Sequence, residues 1–95
     1  MDISKMLQQA NKMKQELDKK EKAFDEQIFT YEKQGIKLII LGSLKIQSID
    51  INEALIDPED KETLQDMIII IFNEALAEIS NKRKSITNSI GKGMF

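Results

Sequence analysis

The apolar residues follow a helical spacing at both ends of the chain and a strand-like spacing in between. Residues 2–24 carry them at intervals of three and four, with no Gly or Pro among them. Asp2 is placed to cap such a helix, and Lys20 interrupts its apolar seam once. The spacing predicts a first helix over residues 2–24 that packs along a neighbour rather than into a deep core.

The middle of the chain has the composition of β-strands punctuated by turns. Gln34–Gly35 offers one turn, and Gly42–Ser43 favours a two-residue type II′ hairpin. The apolar phase changes between Ile46 and Ile49, which predicts either a β-bulge or a strand covered on both faces. We expect a three-stranded antiparallel meander. Its predicted strands are 27–33, 36–41 and 44–51.

A second, longer helix is predicted over residues 58–90. Asp57 is expected at its N-cap, with Pro58 at the first helical position. The apolar stripe then becomes too wide for one face, because the isoleucines of residues 68–71 are consecutive and point around the whole helix. The predicted fold class is therefore α+β, with a helix, a meander and a long helix in a single domain of residues 1–95.

The isoleucine run predicts a homodimer or, alternatively, an unusually buried helix within one chain. Each fully buried side chain is worth about 1.5–3 kcal/mol, and a 95-residue chain has few other apolar segments to cover both sides. We therefore favour a homodimer in which a second copy of the chain covers the other apolar side of the helix. The residues expected at the dimer interface are Leu64, Ile68, Ile69, Ile70, Ile71, Phe72, Ile39 and Leu41.

The composition argues against an enzyme and against a metal or cofactor site. The sequence has no His and no Cys, which removes the commonest general base and the commonest zinc ligands. The acids around Asp57–Glu62 are better explained by a helix start than by a metal site, and Tyr31 by packing in a strand. We expect no catalytic residue, no cofactor, no metal and no small-molecule substrate.

Charge is distributed unevenly along the chain, although the net charge is only −2. Residues 46–81 carry nine acids and one lysine, whereas residues 82–95 carry four cations and no acid. The basic ends can bind a polyanion, or they can be a solvated helix face and the ordinary charging of a helix C-terminus. The candidate polyanion-binding residues are Lys5, Lys12, Lys14, Lys82, Arg83, Lys84 and Lys92.

Targeting signals do not change this interpretation. No apolar run approaches the roughly 18 residues of a membrane-spanning helix, and the N-terminal residues lack the apolar core of a signal peptide. We therefore expect a cytoplasmic protein without a membrane partner.

Two stretches of the sequence resemble the YbaB/EbfC family of bacterial nucleoid-associated proteins. Residues 6–13, MLQQANKM, are similar to the family's opening M-x-K-Q-A-Q-K-M. The second stretch follows the family's I-x-I-D…L…D-x-E-x-L-E-D-L…A-F-N-D-A pattern in order and near spacing. It comprises Ile49–Ile51, Leu55, Asp57, Glu62–Met67 and Phe72–Ala75.

The resemblance implies an intertwined homodimer in which the first helices and the helix ends project like the arms of tweezers. It also implies binding of double-stranded DNA with little sequence preference, and a role in organising the nucleoid or modulating gene expression. Two departures affect these expectations. Gln8 stands where the family has a lysine, and residues 29–45 lack the family's glycine-rich character.

A prefoldin-like chaperone or a coiled-coil interaction adaptor without DNA binding is the alternative function. Such proteins also combine helices with β-hairpins and have little catalytic equipment. Against this alternative, the two predicted helices are unequal, and lysines occupy the ends where a chaperone would need exposed apolar residues.

Overall fold

The computed structural model describes the backbone of residues 2–92 and the side chains of residues 2–88. An N-terminal helix is followed by a three-stranded antiparallel sheet with strand order β1-β2-β3 and by a long helix, as predicted. No helix within the described residues is long and apolar enough to cross a membrane. The elements are α1 Ile3–Glu26, β1 Ile28–Lys33, β2 Ile36–Leu41, β3 Ile46–Ile51, a 3₁₀ turn Glu53–Leu55, and α2 Lys61–Lys92.

Helix α1 begins at Ile3, one residue later than predicted, with Asp2 as its predicted cap, and it extends two residues beyond residue 24. The Asp2 carboxylate accepts a 3.0 Å hydrogen bond from the Ser4 backbone N–H, which satisfies one of the free donors of the first turn. At the other end, the Gln27 N–H donates to the Phe24 carbonyl at 3.0 Å. The chain then turns directly into β1.

The two hairpins of the sheet use different turns. Gln34 and Gly35 both have positive φ, 48° and 91°, which is the signature of a type I′ turn. The second hairpin is not the predicted type II′ turn. Leu44 takes the left-handed conformation at φ 72°, and its N–H donates to the Leu41 carbonyl at 2.8 Å. Consequently, β3 begins at Ile46, two residues later than predicted.

Gly42 is required by a close approach rather than by an unusual φ. A Cβ atom added there would lie 1.9 Å from the Phe24 carbonyl oxygen, a distance that no side chain can accommodate. The absence of a side chain lets the β2–β3 turn pack directly against the end of α1.

A β-bulge in β3 explains the phase change in its sequence. Ile39 pairs with Ser48 and Ile40 pairs with Ile46, so Gln47 is the extra residue. Residues paired across neighbouring strands point to the same face of the sheet. The bulge therefore places Ile46 and Ile49 on the same face as Leu38 and Ile40.

The predicted start of the second helix at Pro58 is wrong by three residues. Asp57 does not cap the helix but begins a turn, because its carboxylate accepts from the Glu59 N–H and its carbonyl from the Asp60 N–H, both at 3.0 Å. Pro58 lies second in this turn, where its fixed φ is also favourable. Helix α2 begins at Lys61, and the Thr63 hydroxyl donates to the Asp60 carboxylate at 2.8 Å.

The core lies between α2 and one face of the sheet. Helix α2 packs against β1 and β2, the central strand being the most deeply covered. Ile71 of the isoleucine run is 1% exposed, so one chain already buries it in its own core. The buried apolar residues are Phe24, Phe29, Ile36, Leu38, Ile40, Ile71, Ala75 and Ile79.

The molecule is elongated because α1 extends away from the sheet. Its dimensions are 71 × 20 × 13 Å. Along α2, Lys61 and Arg83 are about 33 Å apart, and α1 adds about 36 Å, which together match the long dimension. Beyond Arg83, α2 continues beside α1. Residues 3–12 of α1 are all exposed. We call residues 3–22 of α1 and 84–92 of α2 the arm, and the sheet with residues 61–83 the body.

One polar atom of the body is buried without a partner among the described residues. The Tyr31 hydroxyl makes no hydrogen bond of normal geometry, although Glu78 lies close enough to influence it. Burial raises the pKa of Tyr31 above 10.0, and the negative charge and weak polar contact of Glu78 raise it further.

We expect Tyr31→Phe to stabilise the protein by about 1 kcal/mol at neutral pH, because it removes an unsatisfied buried hydroxyl. The difference from the parent should widen above pH 10. Because the pKa of Tyr31 is higher in the folded state, the neutral hydroxyl contributes stability below the unfolded-state pKa. The parent loses this contribution to its free energy of unfolding as the pH rises, whereas the Phe variant has no hydroxyl to ionise. Urea unfolding at pH 7 and pH 10.5 measures both effects. A less stable Phe variant at pH 7 would mean that the hydroxyl is satisfied.

Candidate nucleic-acid interface

Arg83, a predicted phosphate contact, is engaged within its own chain. Its guanidinium forms a salt bridge with Asp25 and donates to the Gly42 carbonyl at 3.1 Å. The same group lies 4.8 Å from the centre of the Phe24 ring. These contacts join the end of α1, the β2–β3 turn and α2. We call Phe24, Asp25, Gly42 and Arg83 the junction.

The remaining predicted cations of α2 differ in their availability. The Lys82 ammonium lies 4.9 Å from the centre of the Phe29 ring and 3.4 Å from the Glu78 carboxylate. Lys84 is exposed and has no ion pair among the described side chains. The side chain of Lys92 lies outside the described residues. Of the three consecutive cations, Lys84 is the one that can meet a ligand without first leaving a partner.

The three predicted lysines of α1 are exposed but do not share one face. Lys5 and Lys12 are two helical turns apart, and together with Gln8 and Gln9 they line one shallow surface depression. At about 100° per residue, Lys14 lies about 200° around the helix from Lys12. The structure therefore brings Lys5 and Lys12 together and separates Lys14 from them.

The lysine face of α1 extends to Lys19, which is not among the residues predicted from the sequence. Lys19 follows Lys12 at the same seven-residue spacing that separates Lys5 from Lys12, and it is exposed. Its acidic neighbours in the sequence obscured it, although the spacing itself could have identified it. We call Lys5, Lys12 and Lys19, with Gln8 and Gln9, the basic stripe.

A group of four acidic residues lies at the opposite end of the molecule from the arm. Asp57, Glu59 and Asp60 precede the first turn of α2, and Glu62 lies within it. That end of α2 is about 33 Å from Arg83 along the helix. A polyanion that meets the arm is therefore kept away from these four negative charges. No cluster of three or more acidic side chains among the described residues is arranged to hold a metal ion.

The two flanks of α2 have different surroundings. The first flank faces β1, since Glu74 forms a 2.7 Å salt bridge with Lys33, and Met67 and Ile70 line a depression with Lys33 and Gln34. The second flank carries Ile69, Phe72 and Leu76 at intervals of three and four, on the side of α2 toward β3.

Because α2 packs on β1 and β2, we infer that its second flank and the α2-facing side of β3 together form an open apolar surface. Helix α2 leaves Ile46 and Ile49 of β3 47% and 39% exposed, and Ile69 and Leu76 are 56% and 39% exposed. We call these residues, with the half-buried Phe72, the apolar groove. Consecutive isoleucines therefore differ, because Ile69 borders this groove and Ile70 lies on the flank toward β1.

The other residues predicted for a dimer interface occupy several places. Ile39 and Leu41 are half-buried on the face of the sheet away from α2, and Leu64 and Ile68 pack against the core of their own chain. Ile71 is fully buried there. The structure does not bring the predicted interface residues together into one exposed surface.

The fold and its charge distribution define a class of small proteins with a body of one sheet and one helix and an exposed, lysine-bearing helical arm. The sequence model of the YbaB/EbfC DNA-binding family matches residues 1–94. The chain therefore belongs to this family, and the resemblance in its sequence motifs is confirmed.

Individual relatives agree with this assignment, and a solved structure shares the fold. A nucleoid-associated protein of Mycoplasmopsis pulmonis is 46% identical over 93 residues, covering 98% of this chain and 93% of the relative. Another, of Ureaplasma urealyticum, is 42% identical over 99 residues and is matched over the full length of both chains. The crystal structure of an uncharacterized Helicobacter pylori protein superposes with a TM-score of 0.79 at 22% identity, covering 95% of this chain and 97% of that one. This last likeness concerns the fold alone.

Proposed function

We propose that this protein binds double-stranded DNA as a homodimer and acts as a nucleoid-associated protein. The observation that carries the proposal is the basic stripe on an exposed arm, in a chain that belongs to a DNA-binding family. The names of the relatives from Mycoplasmopsis and Ureaplasma support the assignment to the nucleoid. The proposed phosphate contacts are Lys5, Lys12, Lys19 and Lys84.

The mechanism is electrostatic. Lysines that meet phosphates release condensed counterions, so the logarithm of the affinity falls with the logarithm of the salt concentration, by about 0.9 per phosphate neutralised. Exposed lysines contact phosphates whatever the DNA sequence. The protein contains no Trp on which unpaired bases could stack. We expect binding near the non-specific range, about 10⁻⁴–10⁻⁶ M at physiological salt.

Dimerisation would double the number of arms on one duplex. The apolar groove supports a second copy as its cover, because four large apolar side chains of one chain are exposed together there. A two-fold interface would present the same groove from both chains. The arms would then project from a shared body at a fixed separation.

A protein-interaction adaptor is the second candidate, and one observation favours it. The tip of α1 exposes Ile3, Met6 and Leu7 to 72%, 53% and 60%, beside the lysines that the sequence places there. Exposed apolar residues at a helix tip are what a chaperone or an adaptor would use. This surface weakens the argument that the helix ends are purely basic.

Binding to a duplex of about 30 base pairs at about 50 and 200 mM salt tests the proposal, with the mass of the protein measured in the same buffers. We expect a dimer that binds unrelated duplexes within a few-fold of one another and is released as the salt rises. A dimer without affinity at low salt would leave the fold unchanged, contradict DNA binding, and direct the search to protein partners of the α1 tip.

A further inference from the structure

The junction is the place where the end of α1 is attached to the β2–β3 turn and to α2. The backbone N–H groups of Gly42 and Ser43 donate to the carbonyls of Gln27 and Asp25, at 2.9 and 3.2 Å. Together these contacts hold the last turn of α1 against the β2–β3 turn. Arg83 adds the link to α2, since its guanidinium meets the Asp25 carboxylate, the Gly42 carbonyl and the Phe24 ring.

The arm amplifies any change at the junction. Only Met13, Leu17 and Glu21 are partly covered among residues 2–22, so little besides the end of α2 supports the helix outside the body. Over the length of α1, about 36 Å, a rotation of about 10° at the junction moves the tip by about 6 Å. This exceeds the axial rise of about 3.4 Å between successive phosphates of one strand.

We propose that Arg83 and Asp25 are positioning residues for DNA binding, which hold the arm at a fixed angle to the body instead of contacting phosphate. The proposal rests on the proposed function, since it concerns how the arm presents the basic stripe to the duplex. The guanidinium of Arg83 has one partner on each of the two segments that it joins to α2. A phosphate would have to displace the Asp25 carboxylate before it could use the same donors.

Asp25→Asn tests this proposal by the sign of its effect. Charge alone predicts tighter binding, because the substitution removes a negative charge from a protein that binds a polyanion. The proposal predicts the reverse, a loss of about threefold to tenfold in affinity at fixed salt with an unchanged salt dependence. Asp18→Asn is the matched control, since Asp18 is exposed on the same helix and has no ion pair among the described side chains. It should bind as tightly as the parent or more tightly.

Arg83→Gln separates the two roles of the arginine. As a phosphate contact, Arg83 would account for about 0.9 of the salt slope per chain, and its loss would reduce the slope accordingly. If Arg83 is a positioning residue, its replacement lowers the affinity and leaves the salt slope unchanged. Circular dichroism and thermal unfolding of each variant ensure that only folded protein is compared at the temperature of the binding assay.

The angle of the arm can be measured without DNA, which distinguishes a failure of this proposal from a failure of DNA binding. The sequence contains no Cys, so Gln8→Cys and Lys45→Cys introduce two unique sites for spin labels, on the arm and on the body. In samples diluted with unlabelled protein, Asp25→Asn should broaden the distance distribution between the two labels and Asp18→Asn should not. An unchanged distribution, a reduced salt slope in Arg83→Gln, or tighter binding by Asp25→Asn would each overturn the proposal.

Discussion

Replacing Ile69 by Asp is expected to convert the proposed dimer into a folded monomer. Ile69 is 56% exposed in a single chain, so an aspartate there remains solvated and folding tolerates it. In a dimer closed over the apolar groove, the same carboxylate would lose water in both chains without gaining a partner. We expect the dimer dissociation constant to rise at least about 100-fold, which corresponds to about 2.7 kcal/mol.

Ile70→Asp is the matched control for this substitution. Ile70 is the next residue in the chain and is 46% exposed, but it lies on the flank of α2 that faces β1. Light scattering or sedimentation over a range of protein concentrations distinguishes the two variants. A monomer from Ile69→Asp and a dimer from Ile70→Asp would assign the interface to the groove. The opposite result would place the interface on the β1 side, and two intact dimers would exclude both flanks.

The isoleucine run illustrates what a sequence can and cannot predict. The width of the apolar stripe is visible in the spacing, and it indicates that α2 is covered on more than one side. Which isoleucine is open depends on where the sheet lies. Because α2 packs on β1 and β2, Ile71 becomes core and Ile69 borders the uncovered β3. The spacing alone does not specify that placement.

The site shows the same division between local and long-range information. The lysines of α1 follow a helical period, so the basic stripe could be predicted from spacing, including Lys19. Arg83 could not be assigned in this way, because Asp25 and Gly42 are 58 and 41 residues away in the sequence. A cation beside two lysines is typical of a polyanion site, and only the tertiary contacts distinguish it from its neighbours.

The start of α2 and the type of the second hairpin turn were predicted wrongly for local reasons. At each place, the residues that suggested one structure are also compatible with another. Asp57–Pro58 fits a helix start and equally fits a turn, and in the structure it forms a turn closed by the Asp57 carboxylate and carbonyl. Gly42 suggested a positive φ, whereas its real constraint is the carbonyl of Phe24. Leu44 then carries the left-handed φ at a cost of about 1–2 kcal/mol, which no propensity rule would assign to leucine.

Reversing the charge of Lys5 and Lys12 together is expected to abolish most DNA binding. Both side chains lie on one face of the arm, and each Lys→Glu change replaces a phosphate contact by a repulsion. In a dimer four contacts are lost, so the salt slope should fall by up to about 3.6. At low salt we expect the affinity for a duplex to fall at least about 100-fold, with the mass and the helix content unchanged.

Lys14→Glu with Lys22→Glu is the matched control, since it makes the same change in net charge on the same helix and leaves Lys5 and Lys12 intact. Lys14 lies about 200° and Lys22 about 80° around the helix from Lys12. If only the total charge of the arm matters, the two double variants will bind equally weakly. If the stripe is the contact surface, the control should retain most of the salt slope, because its losses come from general repulsion rather than from missing phosphate contacts. Equal slopes in the two variants would therefore remove Lys5 and Lys12 from the interface. A lower slope for Lys5→Glu with Lys12→Glu alone would place the duplex along that face of α1, with the acidic end of the body turned away from it.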